Sequence, residues 1–291
     1  MNNVNESYRL ILSKLGDVDE SRCNYFTKEI MVPTRNEVVD IIGKILYLMF
    51  PDYFPLAGDS DGCPSRVITE LHSSIKRQLT SAYAFVGDEC VVDTESAALS
   101  ILERIPAIKE FLIKDVQAIY EGDPAARSPE EVILCYPGFF AIAVYRIAHE
   151  FYVRGIPCIG RIMTEYAHEK TGVDIHAGAT IGEYFCIDHG TGIVVGETAN
   201  IGDRVKLYQG VTLGAKSFEL DEDGNPVKGV KRHPKIGSNC VIYAGATILG
   251  GDTVIGDGCV IGGNVWLTSS VDPNTTVYYA GEKRTVLRKK G

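Results

Sequence analysis

Charged and imidazole side chains recur in two stretches in the second half of the chain, Gly172 to Thr198 and Lys231 to Gly237. The six candidates that they contain are Asp174, His176, Asp188, His189, Arg232 and His233. A lone histidine is usually structural, and an aspartate such as Asp188 often only forms a turn. An adjacent Asp-His pair between glycines can nevertheless carry acid–base chemistry. The pair therefore predicts a catalytic function.

A six-residue repeat runs through the same part of the chain and indicates how these side chains are displayed. Helices place apolar residues about every 3.6 positions and strands every second one, so a strict period of six predicts a left-handed parallel β-helix. The residues in phase are Ile175, Ile181, Ile187, Ile193, Ala199, Val205, Val211, Ile236, Ile242, Ile248, Val254, Val260 and Trp266. A solenoid that only stacks its coils is the alternative interpretation.

The first part of the chain has helical periodicity. Thr34 and Glu37 predict a capping box before an apolar run that Pro51 ends, and a second helix follows through Leu71 and Leu79. Further helices are predicted at about residues 95–120, 139–152 and 159–168. The sequence therefore predicts an α+β protein with four parts: an N-terminal α-helical domain (1–171), a β-helix domain (172–281), a loop that interrupts it (215–235) and a basic C-terminal tail (282–291).

Composition limits the partners. A net charge of -9 argues against nucleic-acid binding, which needs a cationic surface. No apolar run approaches the roughly 18 residues of a membrane span, and the N-terminus lacks the pattern of an export signal. The eight cysteines include no C-x-x-C pair, so we expect reduced thiols, most of them in the core, and no zinc site. We expect a cytoplasmic protein.

The motifs resemble those of the serine O-acetyltransferase family. The matching pieces are GVDIHAGATIG, IDHGTGIVVGET, KRHPKIG and, upstream, EGDPAA at residues 121–126. The resemblance extends over most of the chain from Asp115 to Thr276. It implies an acyl-CoA-dependent enzyme that transfers acetyl from acetyl-CoA to the hydroxyl of L-serine, giving O-acetylserine and CoA for cysteine biosynthesis. Acetyl-CoA would be a co-substrate, with no permanently bound cofactor.

The resemblance also assigns the catalytic pair. His189 matches the general base that takes the proton of the serine hydroxyl. Asp174 matches the carboxylate that orients the imidazole and stabilises the imidazolium, as aspartate does in hydrolase triads. His176 has no such match, and we expect it to be structural.

Substrate recognition is implied by four further positions. Asp123 and Asp188 match the residues that bind the serine ammonium group. Arg232 matches the carboxylate binder, because a guanidinium can meet two oxygens at once, and His233 matches a contact near the hydroxyl. A helix-turn cap for Asp123 and a surface charge for Arg232 are the alternatives.

In this family, acetyl-CoA lies along the β-helix between subunits of a homotrimer, so a trimer or a dimer of trimers is expected. Gly214, Gly245 and Ala246 would let the donor approach the backbone, although coil turns also require glycine. The resemblance further implies feedback inhibition by L-cysteine. The chain departs from the family in its long loop after Gly214. It also lacks an isoleucine-ended tail, so we expect no cysteine synthase complex.

Three other functions fit parts of the sequence. Another hexapeptide-repeat acyltransferase could acylate a sugar or antibiotic hydroxyl, but it would not need Asp123 and Arg232. A β-helical carbonic anhydrase of the γ class needs a His-x4-His pair for zinc, and no two histidines here stand five apart. A scaffolding solenoid with a dead site would not need the intact Asp-His pair.

Overall fold

The computed structural model describes residues 32–56, 63–87, 93–217 and 220–280. The predicted basic tail lies outside these residues, as do Cys23 and Cys90. The helices that the structure describes are α1 (Arg35–Met49), α2 (Pro64–Val86), α3 (Thr94–Leu102), α4 (Ile105–Gly122), α5 (Pro129–Cys135), α6 (Pro137–Val153) and α7 (Ile159–Thr171).

The predicted capping box at the start of α1 is wrong. The Thr34 side chain makes no cap hydrogen bond; its backbone N–H donates to Oε1 of Gln78 at 2.7 Å. Glu37 instead accepts a hydrogen bond of 2.6 Å from the Gln78 side-chain amide. A buried glutamine of the neighbouring helix α2 therefore supplies the partners that the sequence pattern had assigned within α1.

The other predicted helices are present, with two differences. The segment expected as one helix at about residues 95–120 is broken after Leu102, and α4 resumes at Ile105 with Pro106 in its first turn, where proline is tolerated. Helix α5 was not predicted. Its seven residues begin after Ser128, whose hydroxyl accepts a hydrogen bond from the Glu131 backbone N–H.

Short parallel strands follow α7 and form three sheets around a common interior. The first sheet has the order β1 (Asp174–Ile175), β4 (Val194–Val195), β7 (Thr212–Gly214), β10 (Thr247–Leu249) and β13 (Trp266–Leu267). The second has β2 (Thr180–Ile181), β5 (Asn200–Ile201), β8 (Lys235–Ile236) and β11 (Val254–Ile255). The third has β3 (Cys186–Asp188), β6 (Lys206–Tyr208), β9 (Val241–Ile242), β12 (Val260–Ile261) and β14 (Thr276–Val277). A helical region followed by a parallel β-helix of hexapeptide repeats is thus confirmed.

Aliphatic side chains fill the interior of the β-helix. Every hexad residue predicted to be in phase up to Ile248 is buried, as the repeat requires. The expected phase fails at two points. Ile175 pairs with Val195 and not with Ile193, and beyond Ile248 the residues Val254 and Trp266 are exposed while Ile255 is buried instead. Ile255 stands seven positions after Ile248 instead of six, and Gly250 in the longer turn adopts a φ of 108°, which favours glycine.

A buried ion pair joins two helices to the first coil. Arg146 of α6 donates to both carboxylate oxygens of Asp115 in α4, at 2.5 and 2.9 Å. Arg146 also donates to the carbonyl oxygen of Gly182, and the Phe185 backbone N–H donates to Asp115. Since both ends reach backbone groups of the coil, this pair fixes the helical region against the β-helix.

Close packing reinforces the same junction. A Cβ on Gly138, at the start of α6, would lie 2.8 Å from the Ile187 carbonyl oxygen, so only glycine allows this approach. Farther along α6, the Tyr145 hydroxyl donates to the carbonyl oxygen of Ala179 at 2.6 Å. Helix α6 therefore lies directly against the coil that carries Asp188 and His189.

The described cysteines only partly follow the expectation for core residues. Cys186, Cys240 and Cys259 are buried, whereas Cys63 and Cys135 are exposed.

No single described helix is long and apolar enough to cross a bilayer. Helices α5 and α6 pass that test only as a pair, and they are bent by 78°.

Candidate functional site

Five polar side chains meet where the end of α4, the start of α6 and strands β3 and β6 come together. We call this group the His189 cluster: Asp123, Tyr136, Asp188, His189 and Lys206. A cavity of about 300 Å³ lies against it, with Pro137, Gly138 and Ile187 in its lining. Of the six residues predicted to be catalytic or to bind serine, the structure brings together Asp123, Asp188 and His189.

Asp123 is the residue after the last turn of α4, where the backbone becomes extended. Its Oδ2 accepts a hydrogen bond of 2.7 Å from the Tyr136 hydroxyl, and its Oδ1 accepts one from the Ala125 backbone N–H. These bonds, that of Tyr136 first, lower the pKa of Asp123. The same contact raises the pKa of Tyr136 to about 12. Asp123 is therefore held as an anion with its orientation fixed.

Asp188 ends strand β3 and is largely buried. Its Oδ2 lies 2.8 Å from the ammonium nitrogen of Lys206 on the neighbouring strand β6. Burial opposes the lysine charge, but hydrogen bonds with Asp188 and Tyr208 outweigh it and raise the pKa of Lys206. A carboxylate accepts hydrogen bonds at two oxygens, so this ion pair leaves Asp188 able to accept others.

His189 follows Asp188 in the turn between the third and first sheets. Its backbone is left-handed, with a φ of 60°, a conformation uncommon outside glycine. The side chain is 71% exposed, and Nε2 lies 3.7 Å from Oδ1 of Asp188. The turn thus presents the imidazole to solvent beside two carboxylates, where a substrate can reach it.

Asp174 begins β1, beside the strand that follows the His189 turn, and its backbone N–H donates to the Ile193 carbonyl oxygen. Its carboxylate lies near the side chains of Glu165 and His168 of α7. One polar atom from each of these three side chains lies within 4.8 Å of the other two. An ion pair of Glu165 with Arg161 already engages one member of this group. In the described part of the chain, His189 is paired with Asp188, and no hydrogen bond or ion pair joins it to Asp174. The catalytic pair of Asp174 and His189 stays a prediction.

A second group of side chains forms around the other predicted positions. We call it the Arg232 cluster: Tyr152, Glu197, Thr198, Arg232 and His233. The Arg232 guanidinium Nη2 lies 2.6 Å from Oε2 of Glu197, and the Tyr152 hydroxyl donates to Oε1 of Glu197 at 2.8 Å. Burial opposes the Glu197 charge, but these two partners outweigh it and lower the pKa of Glu197. Arg232 is thus partly buried and held by an anion of its own chain.

His233 is buried beside Arg232. The Thr198 backbone N–H donates to its Nδ1 at 3.0 Å, so the proton of the neutral ring is on Nε2. Burial and then the Arg232 charge lower the pKa of His233 to about 4. A Cβ on Gly196 would lie 2.1 Å from the ring, so glycine at this position makes room for the imidazole. His233 is therefore a neutral hydrogen-bond donor at physiological pH.

The two clusters occupy different corners of the β-helix. His189 lies in the turn that joins the third sheet to the first, whereas Glu197 and Thr198 lie in the turn that joins the first sheet to the second. Arg232 and His233 reach that second corner by hydrogen bonds of their backbone N–H groups to the Thr198 hydroxyl. One chain therefore carries the positions predicted to bind the ammonium group apart from those predicted to bind the carboxylate.

The residues suggested for the acyl donor have structural explanations. Gly245 adopts a φ of 71° in a turn, and a Cβ there would lie 2.6 Å from Oδ1 of Asn264. Gly214 ends β7 against Leu249 of β10, and the Ala246 side chain is buried. A role of these residues in donor binding stays a prediction.

A cationic cavity of about 220 Å³ lies under the inserted loop. Its lining contains three basic residues and one acidic residue, Lys216, Lys231, Arg232 and Asp252, together with Gly250, Gly251 and Thr253. The loop and the turn after β10 thus form a concave basic surface beside the Arg232 cluster.

Lys206, Tyr136 and Glu197 belong to the two clusters but were not found from the sequence. The repeat places Lys206 near Asp188, because strand pairing sets Lys206 beside Cys186, two residues before Asp188. That coil has 20 residues rather than 18, so the hexad count alone misaligns the two strands. Tyr136 and Glu197 carry no such periodic signal.

Comparisons with known proteins agree along nearly the whole chain. A family model described as serine acetyltransferase, N-terminal, matches residues 72–144. A serine acetyltransferase of Synechococcus elongatus is 43% identical over 266 residues, which cover 86% of this chain and 82% of that protein.

Solved structures give the same match. Serine acetyltransferase 1 of Entamoeba histolytica superposes with a TM-score of 0.72 at 40% identity, covering 82% of this chain and 86% of that one. The structure of the same enzyme in complex with L-cysteine gives a TM-score of 0.73 at 38% identity, covering 88% of this chain and 94% of that one.

Proposed function

The chain belongs to the serine acetyltransferase family and is an acyl-CoA-dependent acetyltransferase that acts on the serine hydroxyl, and we propose that His189 is its general base. The similarity over more than four fifths of the chain carries the assignment of the activity. The exposed imidazole of His189 lies beside Asp188 and lines the same cavity as Asp123, which supports the assignment of the base.

The proposed reaction needs one proton acceptor. Neutral His189 takes the proton of the serine hydroxyl while the oxygen attacks the thioester carbonyl carbon of acetyl-CoA. The new C–O bond forms, the C–S bond breaks, and the imidazolium returns its proton to the departing thiolate. The products are O-acetylserine and CoA. The thioester is already activated, so positioning and deprotonation of the hydroxyl are the main requirements.

The charges of the two clusters match free serine. Asp123 and Asp188 supply anions for the ammonium group, and Arg232 supplies a cation for the carboxylate, with His233 as a neutral donor nearby. In this chain the two clusters lie at different corners. We therefore propose that a neighbouring subunit completes each site, with the His189 cluster of one chain facing the Arg232 cluster of the next.

A ring of three subunits satisfies that arrangement. The contact is heterologous, since one surface meets a different surface of the neighbour, and such contacts form a closed ring when the rotation between subunits closes. A homotrimer, or a dimer of trimers, is therefore our proposed assembly. Acetyl-CoA would lie between the chains near Gly214, Gly245 and Ala246, where small residues leave the backbone accessible.

Asp174 is our proposed orienting carboxylate for His189. The exposure of His189 leaves its side chain free to rotate from the position beside Asp188. We also propose that L-cysteine competes with serine as a feedback inhibitor of cysteine biosynthesis, because it carries the same ammonium and carboxylate groups. The complex of the Entamoeba histolytica enzyme with L-cysteine supports this proposal.

A thiol-release assay tests the function directly. Purified protein should release CoA from acetyl-CoA when L-serine is added, and L-cysteine should raise the apparent KM for serine. A panel of sugar acceptors provides the comparison. Release with a sugar but none above background with serine would contradict the proposal.

A further inference from the structure

Lys206 is the cation of the His189 cluster, and its three contacts come from three parts of the fold. Its ammonium nitrogen lies 2.8 Å from Oδ2 of Asp188 on β3 and donates to the carbonyl oxygen of Gly122 at 2.7 Å. The same nitrogen lies 4.4 Å from the ring centroid of Tyr208 on its own strand. The side chain is only 15% exposed, so the charge is held in place.

One of the contacts of Lys206 is with Gly122, the residue that directly precedes Asp123. Gly122 is the last residue of α4, and its carbonyl belongs to the negative end of the helix, which favours a cation. A lysine ammonium has three N–H donors, so it can serve this carbonyl and Asp188 at once. Lys206 therefore ties the segment that carries Asp123 to the strand that carries Asp188.

The charge balance points the same way. Asp123 and Asp188 line one cavity, and two carboxylates that face the same space repel each other. With Lys206 the three groups have a formal charge of minus one, which a single substrate ammonium neutralises. Tyr136 donates its hydroxyl to Asp123 and adds no charge to this balance.

We propose that Lys206 is a positioning residue, which fixes Asp123 and Asp188 relative to each other so that both can bind the ammonium group of the substrate. This inference rests on the proposed function, because it takes the two carboxylates as the ammonium site. Lys206 acts through them and touches no reacting atom.

Replacement of Lys206 by methionine tests the proposal, since methionine keeps an unbranched apolar side chain but loses the charge. The KM for L-serine should rise by on the order of tenfold, the lower end of the range for a lost hydrogen bond to a charged group, with kcat changed much less. Lys206→Arg should restore much of the affinity for serine, because a guanidinium can also donate to both the Gly122 carbonyl oxygen and Asp188 Oδ2. Activity toward 3-hydroxypropionate, which lacks the ammonium group, should change little in both variants.

Lys114→Met is the matched control. Lys114 also joins α4 to the β-helix, through an ion pair of 2.7 Å with Glu183, but it lies outside the His189 cluster. The KM of the Lys114→Met variant for serine should stay within about twofold of wild type, since a part-exposed ion pair contributes little to stability. Thermal melting of all variants shows whether each one folds.

The outcomes separate this inference from the assignment of the ammonium site. A serine KM that is unchanged or lower in Lys206→Met would overturn the positioning role, as would an equal loss with 3-hydroxypropionate or no recovery in Lys206→Arg. Asp188→Asn tests the ammonium site itself. If Asp188→Asn impairs serine and 3-hydroxypropionate equally, the carboxylate assignment fails. If it impairs serine alone and Lys206→Met does not, only the inference about Lys206 fails.

Discussion

The Arg232 guanidinium nitrogen Nη2 lies 2.6 Å from Oε2 of Glu197, so the cation proposed to bind the serine carboxylate is already paired. A guanidinium has five N–H donors in a planar fork, and one carboxylate does not use them all. Arg232 can therefore hold Glu197 and accept a second anion at the same time. Glu197 is in turn held by Tyr152, which keeps the fork in a fixed orientation.

Loss of that guanidinium should affect only substrates with a carboxylate. In Arg232→Ala, kcat/KM for serine should fall. The fall should correspond to a loss of about 2–5 kcal/mol in transition-state binding, the usual result of truncating one partner of a buried ion pair. Ethanolamine lacks the carboxylate, so its already poor use should barely change. Steady-state kinetics with both substrates measures the difference, and Arg204→Ala, an arginine stacked on Tyr184 outside both clusters, is the control. An equal loss with both substrates would assign Arg232 to the fold or to donor binding.

Removal of the base should act on turnover. His189→Asn should lower kcat by about 10²- to 10⁴-fold, the usual contribution of a positioned general base. Asparagine is the suitable replacement because it tolerates the left-handed backbone that His189 adopts. Acetyl-CoA binding, measured by calorimetry, should stay close to that of wild type. Near wild-type turnover in this variant would exclude His189 as the base.

The buried His233 should make the protein sensitive to acid. Its pKa is lowered to about 4, whereas a histidine in an unfolded chain ionises near pH ~6.5. Between these values the unfolded chain binds a proton that the folded chain does not, so stability falls as the pH falls. The loss should be on the order of 3 kcal/mol across this range. Thermal melting between pH 7 and 4 measures it. A His233→Gln variant with an equally steep pH dependence would contradict this origin.

The ion pair of Asp115 and Arg146 should be essential for stability. Asp115→Asn leaves Arg146 buried without its counter-charge, which typically costs about 3–5 kcal/mol. Urea unfolding at fixed protein concentration measures the change, and Lys114→Met, next to it on α4 but part-exposed, should cost about 1 kcal/mol or less. The double variant Asp115→Leu with Arg146→Met should recover part of the stability. A small effect of Asp115→Asn would mean that water reaches the guanidinium.

Much of the fold could be predicted because its patterns are local and periodic. The hexads up to Ile248 all point inward, and the helical runs correspond to observed helices. Two of the failures depend on features that the local pattern does not carry, a partner distant in sequence and one extra residue. Gln78 takes the place of the capping box at Thr34, and the extra residue near Gly250 turns Val254 outward.

The site was only partly predictable for a related reason. Asp188 and His189 are adjacent in sequence, so their proximity is certain, whereas Lys206 reaches Asp188 only through strand pairing in a coil of 20 residues. The pairing of Arg232 with Glu197 spans 35 positions and crosses the inserted loop. Contacts of this kind follow from the register of the coils, which a count of apolar residues does not determine.

The loop of residues 215–235 leaves the β-helix after β7 and rejoins it at β8 without disturbing the stacking of the strands. Thr212 still pairs with Thr247, and Asn200 with Lys235, as if the coil were uninterrupted. Changes in the length of this loop should therefore have little effect on the stability of the β-helix. Arg232 and His233 stand where the loop returns, and their backbone N–H groups donate to the Thr198 hydroxyl, so the rest of the loop can diverge while these two residues keep their places.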